Sequence, residues 1–233
     1  MIELAVFDVA GTTVDEGGIV YRVLADSVRA LGADPTPTQI EAWMGAGKRE
    51  AIAALLGESG VDVTDEAVDA GFADFRDRLT AAYRAQPPAP FPGVPELIAN
   101  LRSSRVKVAL TTGFDREVTT SLLTALGWDT DVVDAVVCID DVPAGRPAPY
   151  MIFRAMEMTG VADVRRTLVA GDTVRDIRAG HNAGAAVVLA VLTGDVSAET
   201  LAAAEPTEVL ADVAELPGFL GRRGQPVGVV VGL

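Results

Sequence analysis

The sequence predicts an α/β protein in which a parallel sheet with helices on both faces carries one inserted all-helical domain. Two observations predict this fold class. Short apolar segments rich in branched residues alternate with helical patterns along most of the chain, as in doubly wound sheets. From about residue 20 to residue 85 the alternation stops, and helical patterns follow one another without an intervening strand.

The pattern of apolar residues predicts five strands and four helices of the core. Buried parallel strands are predicted at residues 2–7, 106–110, 135–138, 167–170 and 186–192, because these segments are short, apolar and rich in branched side chains. Helical patterns lie between them at residues 94–103, 118–126, 150–158 and 174–183. Strands that alternate with helices of this length predict a Rossmann-like doubly wound parallel sheet.

The inserted segment is predicted to be an all-helical cap domain. Its helical patterns fall at residues 20–31, 38–44, 49–56 and 64–84, and the Pro-rich run at residues 86–93 predicts a stiff linker back to the core. We therefore place the core at residues 1–16 and 88–233 and the cap at residues 17–87. After residue 220, a short edge strand at residues 227–231 is the one element that the sequence predicts.

Composition and charge limit the classes of function. The chain has 233 residues, of which 49% are hydrophobic and 22% charged, which is ordinary for a globular protein. The formal net charge of −14 argues against nucleic acid or an anionic membrane as a partner. No basic leader opens the chain, no apolar run is long enough to span a bilayer, and the single cysteine, Cys138, fits a reducing compartment. We therefore expect a cytoplasmic protein.

Asp8 is the strongest candidate for chemistry. It comes just after the first predicted strand and is followed by a Gly-Thr turn, and ligands bind at that edge of open α/β sheets. The alternative interpretation is an Asp that only caps a turn. Three further polar clusters, each placed after a predicted strand, disfavour that alternative.

These clusters offer ligands for phosphate and for a metal ion. Thr112 and Gly113 present hydroxyl and backbone N–H groups, and Arg146 presents a cation in a loop before a predicted helix. Asp172 and Asp176, one helical turn apart at a strand–helix junction, suit Mg²⁺, which prefers oxygen ligands. Taken singly, each cluster has an alternative: a common strand end, a surface arginine, or acidic residues that cap a helix.

Asp8, Thr112, Arg146 and Asp172, in this order on an α/β scaffold, resemble the four motifs of the haloacid dehalogenase superfamily. The resemblance extends from the first residue to about Leu192 and puts the helical insert where that family has its cap. It implies a hydrolase in which Asp8 attacks phosphorus and forms an aspartyl phosphate.

The same resemblance implies roles for neighbouring residues. A Mg²⁺ cofactor would be held by Asp8, the backbone carbonyl of Ala10 and Asp172, while Asp176 would order the water shell of the metal. The phosphoryl oxygens of a small phosphonate or phosphate substrate would be bound by residues of the first three motifs, which are Gly11, Thr12, Thr112, Gly113 and Arg146.

Position 10 departs from the pattern of most phosphatases in this superfamily. They carry a second Asp two residues after the nucleophile, which protonates the leaving oxygen, and this chain has Ala10. Because an alanine transfers no protons, we expect phosphate-ester hydrolysis to be slower by ~10²–10⁴-fold.

The phosphonoacetaldehyde hydrolase (phosphonatase) branch is more similar to this chain. It has Asp-x-Ala-Gly-Thr in its first motif, as at residues 8–12, an Arg in its third, as at Arg146, and a cap lysine in Met-Gly-x-x-Lys, as at residues 44–48. This implies that Lys48 forms a Schiff base with a carbonyl and that Asp8 takes the phosphoryl group as the C–P bond breaks. No leaving oxygen then needs a proton.

Lys48 must be partly neutral to act as a nucleophile, which requires burial or a nearby cation, and Arg49 and Arg146 are the two candidates. The alternative interpretation is a solvated lysine at the start of a cap helix. Met44 and Phe114 would line the substrate pocket.

Three positions differ from the phosphonatase pattern. Ala51 stands where that branch has a histidine, Gly18 where it has a cysteine, and Phe114 where it has a tyrosine. The one histidine of the chain, His181, is expected to be structural. All three differences fall around the carbon portion of the substrate, so they leave the identity of the carbonyl phosphonate open.

Two alternatives to C–P hydrolysis follow from the same residues: a Mg²⁺-dependent phosphate-ester phosphatase, and a catalytically weak protein that binds a phosphorylated ligand.

The oligomeric state is a separate question. The first cap helix carries an apolar face that fits either a homodimer interface or the core of the cap itself, formed by Val20, Val23, Leu24 and Val28.

Overall fold

A computed structural model describes residues 1–128 and 131–224. Within these ranges it contains eight strands: β1 (Leu4–Asp8), β2 (Val14–Asp15), β3 (Ala89–Pro90), β4 (Lys107–Thr112), β5 (Ala135–Cys138), β6 (Thr167–Gly171), β7 (Val187–Val191) and β8 (Glu208–Leu210). The same ranges contain ten α-helices: α1 (Ile19–Ala30), α2 (Pro37–Ala42), α3 (Lys48–Glu58), α4 (Asp65–Ala85), α5 (Val94–Ser103), α6 (Arg116–Leu126), α7 (Tyr150–Thr159), α8 (Val174–Ala183), α9 (Ala198–Ala202) and α10 (Leu216–Arg222).

The core is a parallel sheet with the strand order β5-β4-β1-β6-β7-β8. From β1 the chain builds outward on one side through β4 and β5, and then crosses to the other side and builds β6, β7 and β8. The strand order therefore reverses beside β1, and ligands bind at the carboxyl ends of the strands at such a point. Asp8, the last residue of β1, lies opposite Thr111 of β4.

Helices cover both faces of the sheet because successive residues of each strand point to opposite sides. Leu4 and Val6 of β1 pack in one cluster with residues of α7 and α8, such as Ala155. Phe7 packs on the opposite face with residues of α5, α6 and α10, such as Leu101. The predicted doubly wound fold class is thereby confirmed.

The predicted elements are present with bounds that differ by at most two residues, and the differences have local causes. For example, α6 begins at Arg116 rather than at residue 118 because the Asp115 side chain accepts a hydrogen bond from the backbone N–H of Val118 at 2.7 Å. The segment after residue 192 forms β8, α9 and α10, which the sequence did not predict. The predicted strand at residues 227–231 lies outside the described ranges.

Within the cap, α4 packs against α1 and α3, and α1 also contacts α3. The apolar face of α1 is buried within this one chain, since its four residues are at most 8% exposed: Val20, Val23, Leu24 and Val28. This face belongs to the core of the cap, so a dimer through the cap, which stays a prediction, would need a different surface.

A two-stranded ribbon joins cap and core. Val14 and Asp15 of β2 pair antiparallel with Pro90 and Ala89 of β3, at the two points where the chain crosses between the domains. The segment predicted as a stiff linker thus includes a strand. The pairing forms because the two crossings run in opposite directions side by side. Among the described residues, no helix combines the length and apolar character needed to cross a membrane.

Candidate functional site

The four motifs meet at the carboxyl edge of the sheet beside β1. Asp8 ends β1, Thr112 ends β4, Asp172 follows β6, and Arg146 lies in the loop before α7. All four are buried, with the most exposed of them, Asp8, at 6%. The topology therefore brings together four polar side chains that are far apart in sequence.

Arg146 is the cation of this site. Its Nη1 lies 2.6 Å from Oδ1 of Asp8 and also pairs with Asp176. Burial alone would lower the pKa of Arg146, but the charges of Asp176 and Asp8 outweigh it and raise this pKa, so the guanidinium stays charged. Its buried Nε has no hydrogen-bond partner among the described residues and is left as a donor for a ligand.

Three carboxylates share the site: Asp8, Asp172 and Asp176 each offer an oxygen within 4.8 Å of the others. Burial raises the pKa of Asp172 well above its usual range, and the charges of Asp8 and Asp176 raise it further. Burial also raises the pKa of Asp8, to about 6, although Arg146 opposes this. Three buried carboxylates with one guanidinium leave excess negative charge, which fits a divalent cation bound by oxygen ligands.

Asp172 is held from three directions. The Thr12 hydroxyl donates to its Oδ1 at 2.9 Å. A Cβ on Gly11, which has a φ of 83°, or on Gly194 would collide with the Asp172 carboxylate. The backbone can therefore approach Asp172 closely at these two positions only because both residues are glycines. The Thr12 hydroxyl is thus engaged by Asp172, while its predicted role toward a phosphoryl group stays a prediction.

The sequence did not identify the loop after β7 as part of the site. Thr193 donates a hydrogen bond to the carbonyl of Gly11 at 2.5 Å and fixes that turn. The signal that could have found it is the Thr-Gly-Asp run at residues 193–195, which follows a predicted strand as the other motifs do. Ala10, predicted to offer its carbonyl to a metal ion, lines the same small cavity as Asp172 and Gly194.

Asp176 interacts with both Thr173 and Arg146, and the sequence did not predict this combination. It forms a capping box at the start of α8, where it accepts a hydrogen bond from the backbone N–H of Thr173 at 3.2 Å, and it also pairs with Arg146. The residue that caps α8 is Thr173 rather than Asp172. The alternative reading of Asp172 as a helix cap is therefore excluded.

Lys48 enters the site from the cap, as the first residue of α3. It is only 5% exposed, its Nζ donates to the carbonyl of Ala46 at 3.2 Å, and this nitrogen lies 5.3 Å from the ring centroid of Tyr21 and 5.6 Å from that of Phe114. The structure thus does not support a solvated lysine at this position.

Burial lowers the pKa of Lys48 to about 8, and the charge of Arg146 lowers it further, while Asp8 and Glu16 oppose the shift. Of the two candidate cations, Arg146 is the one that acts on Lys48. Arg49 instead pairs with Asp69 in the cap, with its side chain about half exposed.

Gly45 and Gly113 allow the cap loop before Lys48 to pack closely between the second and fourth motifs. A Cβ on Gly113 would lie 2.6 Å from the carbonyl oxygen of Ala46, and a Cβ on Gly45 would lie 2.5 Å from the Thr173 hydroxyl. The backbone N–H of Gly45 donates to the Tyr21 hydroxyl at 3.1 Å. Close contact on both sides places Lys48 inside the core site in this cap position.

A cavity of about 640 Å³ opens from this site toward solvent, between the start of α3 and the loop that carries Arg146. Lys48, Gly113 and Arg146 line it. The Phe114 ring is buried beside Lys48, and its backbone N–H donates to the Thr112 hydroxyl at 3.1 Å.

The remaining candidates lie away from this cavity. Met44, predicted as a pocket residue, lines a different cavity of about 490 Å³ with Arg175 and Val196. Ala51 is fully buried in the hydrophobic core of the cap, and Gly18 precedes α1 at the hinge. His181 contacts the carbonyl of Glu205 at the surface, at 3.0 Å, so no imidazole lies in the site.

Known proteins match both the sequence and the fold. The family model of haloacid dehalogenase-like hydrolases matches residues 2–184. A phosphonoacetaldehyde hydrolase from Bacillus cereus is 33% identical over 195 residues, which cover 78% of this chain and 73% of that protein. A hydrolase from Pseudomonas syringae superposes with a TM-score of 0.84 at 23% identity, covering 94% of this chain and 98% of that one. A phosphonoacetaldehyde hydrolase-like protein from Oleispira antarctica has a TM-score of 0.82 at 22% identity, covering 98% and 95%.

Proposed function

Because this chain belongs to the haloacid dehalogenase-like hydrolases, in their phosphonatase-like branch, we propose that it cleaves the C–P bond of phosphonoacetaldehyde or a related carbonyl phosphonate. The observation that carries the proposal is Lys48. A lysine from the cap is buried in the core site beside Arg146, and its pKa is lowered to about 8. A lysine in this state is a competent amine nucleophile near neutral pH, which phosphate-ester hydrolysis does not require.

The reaction begins at Lys48. Its neutral Nζ adds to the carbonyl carbon of the substrate, water leaves, and a protonated imine forms. This iminium group accepts the electron pair of the breaking C–P bond and becomes an enamine, while a carboxylate oxygen of Asp8 bonds to phosphorus. Water then hydrolyses the aspartyl phosphate to inorganic phosphate, and protonation and hydrolysis of the enamine release the aldehyde and free Lys48.

The other residues of the site support the transfer to Asp8. Arg146 is charged, contacts Asp8 and keeps a free Nε donor, which suits the phosphoryl oxygens. Asp8, the Ala10 carbonyl and Asp172 would hold Mg²⁺. When bound, Mg²⁺ supplies the positive charge that lets an anionic carboxylate approach an anionic phosphorus centre. Ala10 is tolerated because the enamine leaving group needs no proton on oxygen.

Two further observations support the proposal. Curated relatives at 33% identity carry the name phosphonoacetaldehyde hydrolase. The cavity of about 640 Å³ beside Lys48 has room for a small carbonyl phosphonate and for larger ones.

We also propose a cytoplasmic location, in keeping with the single free cysteine, Cys138.

Release of inorganic phosphate from phosphonoacetaldehyde, with Mg²⁺ present, tests the proposal. Lys48→Arg and Asp8→Asn are each expected to reduce turnover by ~10³-fold or more, because each removes a group that forms a covalent bond. The sequence contains two lysines, so Lys107→Arg, at an exposed position, is the matched control and should leave turnover unchanged.

Borohydride trapping separates the alternatives. With phosphonoacetaldehyde, reduction should attach the aldehyde carbon skeleton to Lys48 and not to Lys107. Hydrolysis of p-nitrophenyl phosphate that survives Lys48→Arg, with no trapped adduct, would instead favour an ester phosphatase. Thermal stabilisation by the substrate without product would favour a binding protein.

A further inference from the structure

We propose that Arg175 is a positioning residue that holds the cap closed and, through the same guanidinium, fixes the loop that carries Arg146. Arg175 lies in the first turn of α8, one residue before Asp176, and is not among the site residues predicted from the sequence. Its effect on cap closure is independent of the reaction, while its effect on turnover rests on the proposed function.

On the core side, Arg175 contacts the backbone of the loop before α7. Its Nη1 donates a hydrogen bond to the carbonyl oxygen of Arg146 at 3.0 Å. The next carbonyl along the loop, that of Pro147, accepts a hydrogen bond from Nδ2 of Asn182 at 2.8 Å. Two side chains of α8 thus fix the backbone beside the cation of the site.

On the cap side, the same guanidinium contacts the segment that leads to Lys48. Its Cζ lies 4.8 Å from the ring centroid of Trp43, which is a cation–π contact. Its Nη2 also donates to the carbonyl oxygen of Ala42 at 3.5 Å. The Trp43 ring is itself held within the cap, because its Nε1 donates to the carboxylate of Glu58 in α3 at 3.0 Å.

The two sets of contacts exist together only when the cap lies on the core, since Trp43 belongs to the cap and the Arg146 carbonyl to the core. A planar guanidinium has donors in a fixed arrangement and a face that stacks on a ring, so it can make all of these contacts at once. Lys48 follows Trp43 by five residues. Closure over Arg175 therefore sets Lys48 and Arg146, which act on the two ends of the substrate, relative to each other.

Two residues of α8 provide controls for Arg175→Met, which removes the guanidinium and keeps an unbranched apolar side chain. Arg178 lines the same cavity of about 490 Å³, but it is exposed, and within the described part of the chain no hydrogen bond or ring contact joins it to the cap. Asn182→Ala removes a hydrogen bond to the loop of Arg146 and none to the cap. These variants separate cap closure from loss of charge on α8 and from loosening of the loop.

The exposure of Lys48 measures cap opening without any turnover. Lys48 is 5% exposed with the cap in this position, whereas Lys107, the other lysine of the chain, has a half-exposed side chain on the core. Reductive methylation by formaldehyde and cyanoborohydride, followed by peptide mass spectrometry, gives the ratio of the two labelling rates. Lys107 corrects this ratio for general changes in reactivity.

Loss of the Arg175 charge does not imitate cap opening in this measurement. Burial, Arg146 and, to a smaller extent, Arg175 lower the pKa of Lys48. Removal of Arg175 therefore leaves a smaller fraction of neutral amine and by itself slows the labelling of Lys48. Faster labelling in Arg175→Met reports exposure of the amine.

In the full-length protein, Arg175→Met is expected to raise the Lys48-to-Lys107 labelling ratio by ~10-fold, because the cation–π contact and the hydrogen bonds from a charged donor no longer favour closure. Arg175→Lys should recover part of the wild-type protection. Arg178→Met and Asn182→Ala should leave the ratio unchanged. In phosphate release from phosphonoacetaldehyde, kcat/KM of Arg175→Met should fall by a similar ~10-fold, since the same closure is lost.

Trp43→Leu tests the contact from the cap side. It removes the ring that Arg175 stacks on, so it should also raise the labelling ratio of Lys48. Because both substitutions remove one shared contact, the double variant Trp43→Leu/Arg175→Met should add little to either single variant. If Arg175→Met does not fold, Trp43→Leu decides by the same ratio.

The outcomes distinguish this inference from the proposed function. An unchanged labelling ratio in Arg175→Met, or effects of Trp43→Leu and Arg175→Met that add in full, would overturn the role of Arg175 and leave C–P hydrolysis standing. The expected ratios in a protein that releases no phosphate from carbonyl phosphonates would support the role of Arg175 in closure and overturn the proposed function.

Discussion

Lys48 illustrates how a single residue acquires reactivity from its surroundings. An ordinary lysine is almost fully protonated at neutral pH, whereas burial and Arg146 bring the pKa of Lys48 to about 8. We predict that a ¹³C NMR titration of the Lys48 Cε in the metal-free protein has its midpoint near this value. Arg146→Gln should move the midpoint upward, because it removes the neighbouring cation.

Arg49→Gln is the control for this titration, since Arg49 pairs with Asp69 and its side chain is about half exposed, where solvent screens its charge. It removes one positive charge from the sequence neighbour of Lys48 and should leave the midpoint in place. A midpoint that shifts equally in both variants would show that the effect is not the local contact with Arg146.

Among individual residues, the sequence predicted the four motif residues and Lys48, because each stands in a short pattern beside a predicted element. It did not predict the role of Thr193, which donates a hydrogen bond to the carbonyl of Gly11 and fixes that turn beside Asp172. It also did not predict that Arg146 and Asp176 pair, since these residues are joined by the sheet topology and not by sequence spacing. Contacts between residues that are far apart in sequence can be identified only once the fold is known.

The elements α4 and α6 form a second link between cap and core. Arg76 of α4 pairs with Glu117 of α6 and lies 3.8 Å from the Asp115 carboxylate, which caps α6. Ion pairs at such partly exposed positions contribute ~0–1 kcal/mol. We predict that Arg76→Ala raises KM by ~2–5-fold with little change in kcat, because cap closure becomes less favourable.

Steady-state kinetics at low and high salt check this prediction. The effect of Arg76→Ala should shrink at high salt, where the pair is already screened. Arg78 provides the control, since it pairs with Asp74 inside α4 and cannot bridge the two domains. Equal effects of Arg76→Ala and Arg78→Ala would contradict a link between cap and core.

Among the strands and helices, the length and regularity of each sequence pattern decided what could be predicted. The strands and helices of the core and cap up to β7 carry several apolar residues in a regular period, and their bounds were predicted within two residues. β2 and β3 have only two residues each, and β8 has three, so they have no measurable period. Such short strands form because tertiary packing places a partner beside them.

For the whole molecule, the acidic site predicts a link between metal binding and stability. Asp8, Asp172 and Asp176 repel one another in a buried position, and a bound cation relieves that repulsion. At a Mg²⁺ concentration ~100-fold above its Kd, binding to the folded state stabilises it by ~2.7 kcal/mol. For a chain of this size we predict a rise in Tm of ~5–10 °C.

Asp172→Asn tests the charge argument by thermal melting. The amide keeps an acceptor for the Thr12 hydroxyl but removes one buried charge. The metal-free variant should therefore melt at a higher temperature than metal-free wild type, and it should gain little from added Mg²⁺. A variant that melts lower without metal and still responds to Mg²⁺ would show that the three carboxylates are not a strained, metal-binding group.

β1 is synthesised before its partner strands but occupies the middle of the finished sheet. Its partner strands begin at Lys107 and Thr167, so they are synthesised about 100 and 160 residues after Leu4. At a synthesis rate of ~5–20 residues per second, the nascent β1 waits roughly 5–20 s for β4. Its apolar residues, at most 1% exposed after folding, have no partner strand to cover them during that time. The placement that centres Asp8 in the sheet thus makes β1 a segment that a ribosome-associated chaperone is expected to shield.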